Sequence, residues 1–282
     1  MSDVKIIMLG TGSPRPDIER GGSAQVLLID ALPILVDCGE GTTRQLMKVG
    51  IPPETVEHLW FTHLHSDHVM GYLQFLLGGW TAGRSKLTVV GPKGTKNFHE
   101  TIMNLFEEDI VYRTSLGRSP EGLLDVNIIE VEEAGEVPTD LPVKVTADQM
   151  IHNVPTFAYR FEIEETVVVF SGDTAPNERI IELSRDADIL IHDAALAKNA
   201  AYKPPLSPER QKMWDNLQKE HCTPAQAGEI AFKAGAKQLV LTHFLPKIDL
   251  ELAYQEVSEV YSGSVIVPED LQVIPVKKRL KI

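Results

Sequence analysis

His63-Leu64-His65-Ser66-Asp67-His68 is the stretch from which the fold can be read. It follows directly on His58 to Thr62, a short run that reads as a β-strand. A loop leaving a strand can aim such closely spaced side chains into one cavity. Neutral imidazole and carboxylate are ligands that Zn2+ and similar divalent ions accept. The competing reading is a solvated loop that happens to be rich in histidine. Only nine histidines occur in 282 residues, which counts against it.

Upstream of this stretch, Val4 to Leu9 is an apolar run closed by the turn residues Gly10-Thr11-Gly12. Ala24 to Ile29 and Ile34 to Val36 are two further β-rich runs, and the second stops at Asp37-Cys38-Gly39-Glu40-Gly41. Thr42 to Val49 has helical spacing, ended by Gly50 and Pro52-Pro53. Downstream, Val69 to Leu77 reads as a buried helix, Leu87 to Val90 as a strand and Thr95 to Phe106 as a helix. From about residue 110 to 170 the pattern alternates with period two. Its strands are expected at Val126 to Val131, Val143 to Val145, Ala158 to Ile163 and Thr166 to Phe170. Beyond Gly172 helices and strands alternate: Asn177 to Ser184, Ile189 to His192, Pro224 to Ala234, Gln238 to Thr242 and Leu250 to Tyr261. Ser264 to Val267 and Leu271 to Ile274 are β-like, the latter stopped by Pro275. There is no repeat and no linker. Tyr202 to Pro208 is the best candidate for a long exposed loop. This order suggests one α/β domain over residues 1–282, two β-sheets covered by helices.

Three later residues extend the pattern. His152 stands in Met150-Ile151-His152-Asn153-Val154-Pro155, Asp173 in Ser171-Gly172-Asp173-Thr174, and His243 in Leu241-Thr242-His243-Phe244. Taken singly, each is as well explained as an ordinary polar residue. Taken in order behind the H-x-H-x-D-H stretch, they resemble the ligand series of the metallo-β-lactamase superfamily. Four segments resemble its ribonuclease Z and arylsulfatase-like branch: Leu9 to Pro14, Asp37 to Thr42, Ile191-His192-Asp193-Ala194, and Glu220 to Ala227. In the third, Asp193 stands where ribonuclease Z has Glu. The resemblance implies an αββα four-layer sandwich, two sheets face to face with helices outside. It implies that His63, His65 and His152 bind one divalent ion and Asp67, His68 and His243 a second, with Asp173 bridging them. Zn2+ is the first choice, with Mn2+ or Fe2+ possible. A pair of ions lowers the pKa of a shared water from near 16 to roughly 7, and the hydroxide attacks an electrophilic centre. The resemblance also implies Asp67 as a base toward that water, and His221 as the acid for the leaving group with Asp193 orienting it.

The chain departs from ribonuclease Z in two places. Only twenty residues separate His152 from Asp173, and they read as a hairpin turning near Glu164-Glu165, where many relatives insert a long tRNA-gripping arm. The second departure is the segment 195–220, expected to be a lid or a dimer contact, with helical character from Pro208 to Lys219. Forty acidic against 27 basic residues give a formal charge of −13, which opposes binding of nucleic acid or anionic lipid. The first expectation is therefore a binuclear hydrolase of a small phosphodiester, sulfate ester, carboxylic ester or lactone. The alternative is ribonuclease Z, a tRNA 3′-processing endoribonuclease. A mononuclear iron dioxygenase or diiron redox protein fits less well, because His65 and the second ligand set are complete; so does a metal-free binding protein. With two cysteines, no secretory signal pattern and no apolar run long enough to span a bilayer, a cytoplasmic homodimer without membrane contact is expected. Gly10-Thr11-Gly12 offers backbone N–H groups to an anion or is merely a turn. Cys38 reads as an inert core thiol. Cys222 adjoins His221 with no required reactivity, and His58, His99 and His192 read as structural or exposed.

Overall fold

Alternate side chains of the first strand, β1 (Val4–Gly10), bury on opposite sides: Ile6 and Met8 in one apolar cluster, Ile7 and Leu9 in another. A strand apolar on both faces must lie in a sheet covered on both sides. The computed structural model of the chain, which describes residues 2–198 and 206–276, provides that cover.

The first half continues with β2 (Ala24–Ile29), β3 (Leu32–Val36), α1 (Thr42–Lys48), β4 (His58–Trp60), α2 (Ser66–Val69) and α3 (Tyr72–Ala82). It closes with β5 (Thr88–Pro92), α4 (Thr95–Leu105), α5 (Glu107–Ser115) and β6 (Asn127–Val131). The second half holds β7 (Gly135–Glu136), β8 (Lys144–Gln149), β9 (Phe157–Ile163), β10 (Thr166–Phe170), α6 (Glu178–Leu183) and β11 (Ile189–Asp193). Then follow α7 (Pro208–Leu217), α8 (Pro224–Ala234), β12 (Gln238–Thr242), α9 (Leu250–Ser258), β13 (Ser264–Ile266) and β14 (Val273–Pro275). The strands form two mixed seven-stranded sheets, ordered β14-β1-β2-β3-β4-β5-β6 and β13-β12-β11-β10-β9-β8-β7. The β3 to β6 pairings are parallel, as are those from β10 to β13.

One apolar cluster joins the inner faces of both sheets, from Ile6, Met8 and Trp60 to Phe161, Phe170 and Ile191. Trp60 packs edge-on against Tyr159 and Phe161 at 5.2 and 5.3 Å, and the Tyr159 hydroxyl donates across the sheets to the Phe61 carbonyl at 2.8 Å. Two outer clusters pack α1 and α3 on the first sheet, and α6, α8 and α9 on the second. The result is the expected αββα sandwich.

Several boundaries differ from the sequence reading. The stretch expected to alternate from residue 110 begins inside a helix, α5, whose charged first turn of Glu107, Glu108 and Asp109 suits a helix N-terminus. Val69 to Leu77 is not one helix. The Gly71 amide bonds to the Cys38 carbonyl at 2.8 Å, and the chain restarts as α3 at Tyr72. Strand β8 runs on past Val145 to Gln149. Pro275 does not stop β14 but lies within it, which an edge strand tolerates. The Glu164-Glu165 turn joins β9 to β10 directly. Of the loop expected at Tyr202 to Pro208, residues 202–205 lie outside the described residues, and Pro208 already opens α7.

Candidate metal centre

Every candidate ligand leaves a strand end or the loop just after it. β4 ends at Trp60 and the chain turns through His63 into α2, where Asp67 and His68 sit on its single turn. His152 lies between β8 and β9, Asp173 just beyond β10, Asp193 at the end of β11 and His243 just beyond β12. The carboxyl ends of parallel strands thus converge on one rim, the usual ligand position in such sheets. Close backbone packing sets the position of α2. A Cβ on Gly39 would fall 2.2 Å from the Asp67 carbonyl, and one on Gly71 only 2.1 Å from the Gly39 carbonyl. The Asp37-Cys38-Gly39 segment therefore wedges beneath the histidine turn as no larger residues could.

The side chains anticipated from sequence come together. Ligand atoms of His63, His65, His152 and Asp173 lie within 4.8 Å of one another, as do those of Asp67, His68 and His243. Asp173 stands between the groups: its Oδ2 is 3.7 Å from His63 Nε2 and 3.2 Å from His243 Nε2, and its Oδ1 is 3.5 Å from His68 Nε2. His243 Nε2 is also 3.0 Å from Asp67 Oδ2. Buried Nε2 atoms of His63 and His68 have no hydrogen-bond partner among the described residues. Orphaned inward nitrogens, a central carboxylate and a nitrogen–oxygen donor set fit a pair of divalent cations.

The outward nitrogens explain why these rings face inward. His68 Nδ1 is 2.8 Å from Asp37 Oδ2. Asp37 Oδ1 accepts from the Thr62 amide at 2.8 Å, and the Thr62 hydroxyl lies 3.0 Å from His63 Nδ1. His152 Nδ1 is 3.2 Å from the Glu220 carbonyl oxygen. Such partners fix tautomer and ring orientation. Asp37 stands in a segment resembling the ribonuclease Z branch, but nothing in its sequence context assigns it a role. Its only signal was a carboxylate closing an apolar strand, and its partners are remote in the chain.

Burial and charge pull the titrating groups in opposite directions. Burial would raise the Asp173 carboxyl, but His243, His68 and His63 hold it well below the usual range. Burial would lower His68, yet Asp173 and Asp37 keep it well above an ordinary histidine. Burial lowers His63 well below that value, helped by its neighbour His68. The Asp37 carboxyl is raised by its burial, against the pull of His68.

Beside this cluster His221 Nδ1 lies 2.9 Å from Asp193 Oδ2 and 3.9 Å from Asp173 Oδ2. Asp193 thus reaches its histidine although one methylene shorter than Glu. It also accepts the Thr174 and Ala195 amides at 3.2 and 2.8 Å. Burial alone would lower His221, but the Asp193 carboxylate outweighs it and raises the imidazole to about 9. A protonated imidazole held by a carboxylate can serve as a general acid.

A cleft of about 260 Å³ opens next to Asp67, lined by Ser13, Pro14, Arg15, Arg20, Ser66 and Met70 among others. On its far side Arg15 Nη2 is 4.0 Å from Met213 Sδ on α7, a helix with no buried residue. The Gly10-Thr11-Gly12 turn does not offer its amides to a ligand. The Thr11 amide donates to Asp270 Oδ1 at 2.9 Å and the Gly12 amide to the Gly21 carbonyl at 2.9 Å. Cys38 and Cys222 are buried free thiols with strongly raised pKa values caused by burial, which suits inert core residues. His58 and His192 are buried, and His99 Nδ1 pairs with the Tyr72 hydroxyl at 2.8 Å. No described helix is long and apolar enough to cross a membrane.

Residues 33–244 match the family model described as a beta-lactamase superfamily domain. The chain is 31% identical to Ribonuclease Z of Bacillus velezensis over 329 aligned positions, covering 96% of this chain and 98% of that protein. It is 30% identical to Ribonuclease Z of Mycobacterium bovis over 287 positions, covering 98% and 99%. Among solved structures it resembles the short form of human tRNase Z at a TM-score of 0.72 and 25% identity, over 97% of this chain and 100% of that one.

Proposed function

Since the chain belongs to the β-lactamase superfamily, and within it to the ribonuclease Z family, we propose that it is a two-cation phosphodiesterase that cuts precursor tRNA on its 3′ side. The observation that carries this reading is the His221–Asp193 couple at 2.9 Å, set against the rim of the ligand cluster. Hydrolysis of a small ester with a good leaving group needs no such acid; expulsion of a ribose alkoxide does. The relatives rank tRNA above the small ester expected first. The missing arm weighs less than the sequence suggested, because the Mycobacterium bovis relative aligns nearly end to end over 287 positions, close to this chain's own length.

On this reading His63, His65 and His152 would hold one cation and Asp67, His68 and His243 the other, with the Asp173 carboxylate within reach of both groups. The ligand chemistry favours Zn2+. Divalent ions held there would lower the pKa of a bound water toward neutrality and offset negative charge on the phosphate. Asp67 accepts the proton released when water becomes the nucleophile. Asp37 and the Thr62 hydroxyl keep His68 and His63 aimed inward. His221, its Nδ1–H donated to Asp193, presents a proton on Nε2 to the oxygen leaving phosphorus. Arg15, which lines the cleft and touches Met213 of α7, is placed to meet the substrate strand.

A gel assay with precursor tRNA at nanomolar enzyme tests the proposal, with cleavage at the discriminator end expected. The acidic charge of −13 favours the small-ester reading instead. Turnover of bis-p-nitrophenyl phosphate, p-nitrophenyl sulfate or a lactone without tRNA cleavage would establish that reading and overturn this one.

A further inference from the structure

We propose that Asp270, acting with Arg20 through Thr11, is the positioning device for His243. The inference rests on His243 being a ligand of the second cation. His63, His68 and His152 each have an outward Nδ1 held by a partner. His243 does not: its buried Nδ1 has no hydrogen-bond partner among the described residues, the Asp193 carboxylate standing off at ion-pair distance, 3.7 Å. The ring stacks on His221 and His68 but lacks an outward hydrogen bond, so the backbone carries that part of its orientation. That backbone is unusual, with φ at 65°, in the left-handed region that favours glycine.

The next residue is pinned in place. The Phe244 amide donates to the Thr11 carbonyl at 2.8 Å, and Gly12 and Phe244 form an isolated parallel bridge. Thr11 is fully buried, and both its amide and its hydroxyl donate to Asp270 Oδ1, at 2.9 and 2.8 Å. Asp270 Oδ2 accepts from the Gly21 amide at 2.7 Å and from Gln45 Nε2 at 3.3 Å. Arg20 completes the clamp. Its guanidinium contacts the Thr11 hydroxyl, donates to the Pro268 carbonyl at 2.9 Å and lies 4.9 Å above the Phe244 ring. A segment near the C-terminus thereby fixes the first turn of the chain, which fixes the residue after His243. The device does through the backbone what a hydrogen-bonded partner does for the other rings.

The test measures metal affinity and is independent of any RNA. Each protein is loaded with Zn2+ and titrated with a competing chelator, with His243→Ala as reference for loss of the second ion. Asp270→Ala is expected to weaken one ion about 10-fold, the low end of the effect of losing a ligand's direct partner because it acts through Thr11, and the other less than threefold. Arg20→Gln, which leaves the Asp270 bonds in place, shows the same selectivity to a smaller degree and serves if Asp270→Ala does not fold. Thr11→Ser keeps the hydroxyl and retains both ions. A general loss of packing would lower the melting temperature and weaken both ions together, and that result overturns the proposal. So does retention of both ions by Asp270→Ala while His243→Ala loses one. If His243→Ala itself keeps both, the ligand assignment falls and the proposal with it.

Discussion

Replacing Asp193 by Asn removes the charge beside His221 while nearly preserving shape. The carboxylate faces three donors, His221 Nδ1 and the Thr174 and Ala195 amides. An amide has one accepting oxygen, so at least one donor faces an NH2 group. The imidazole, raised to about 9 by Asp193 against the cost of burial, returns toward its ordinary 6.5. At about 1.4 kcal/mol per pH unit, the lost stabilisation of the imidazolium is on the order of 3 kcal/mol. A raised histidine pKa stabilises the fold fully below 6.5, and that contribution fades as pH rises toward 9. In EDTA-treated protein the Asn variant should melt about 5–10 °C below the parent at pH 6. The gap should narrow above pH 9 to the cost of the broken hydrogen bonds. In metal-loaded protein, kcat on precursor tRNA should fall at least about 100-fold, the low end of general-acid catalysis, with KM little changed. Differential scanning fluorimetry across pH and single-turnover cleavage supply the two readouts. A melting difference that is the same at pH 6 and pH 10, or an unchanged kcat, would refute the coupling of Asp193 to His221.

Asp37→Asn should weaken binding of both ions about 10- to 100-fold, because Asp37 supports His68 directly and His63 through Thr62; chelator competition measures this. Gly39→Ala places a methyl 2.2 Å from the Asp67 carbonyl, a clash no rotamer relieves. The variant should be insoluble, or bind less than one ion per chain by metal analysis. Arg15→Ala should raise KM for precursor tRNA several-fold and leave kcat intact, as Arg15 lines the cleft away from the reacting atoms; a fall in kcat alone would remove it from the cleft wall. Dialysis against chelator should abolish hydrolysis, and added Zn2+ should restore it.

Local spacing made the histidine turn legible, since four chemically matched side chains within six residues need no tertiary context. The inner strands were legible because burial on both faces leaves a nearly unbroken apolar run, such as Val4 to Leu9 interrupted only by Lys5. Helix α5 was not, because Val111 and Tyr112 are exposed while only Ile110 is buried, so no apolar stripe marks it. The supports of the site were hidden for another reason. Asp37 meets His68 across 31 positions and Asp270 meets Thr11 across 259. No periodicity or motif length reports such pairs; only the pairing of the sheets brings them together. The Asp in place of Glu at 193 was equally opaque, since only the fold shows that the shorter side chain still reaches His221.

The Tyr159–Phe61 bond and the Trp60 packing stitch the sheets together directly below the rim where the candidate ligands meet. His63 and its neighbours ride on one sheet, whereas Asp173 and His243 ride on the other. On the proposed assignment each cation is therefore a rivet across the seam. Neither half of the polypeptide owns a whole coordination sphere, so bound metal should add to the stability of a sandwich its apolar core already closes, and an excised half should hold its ion only feebly.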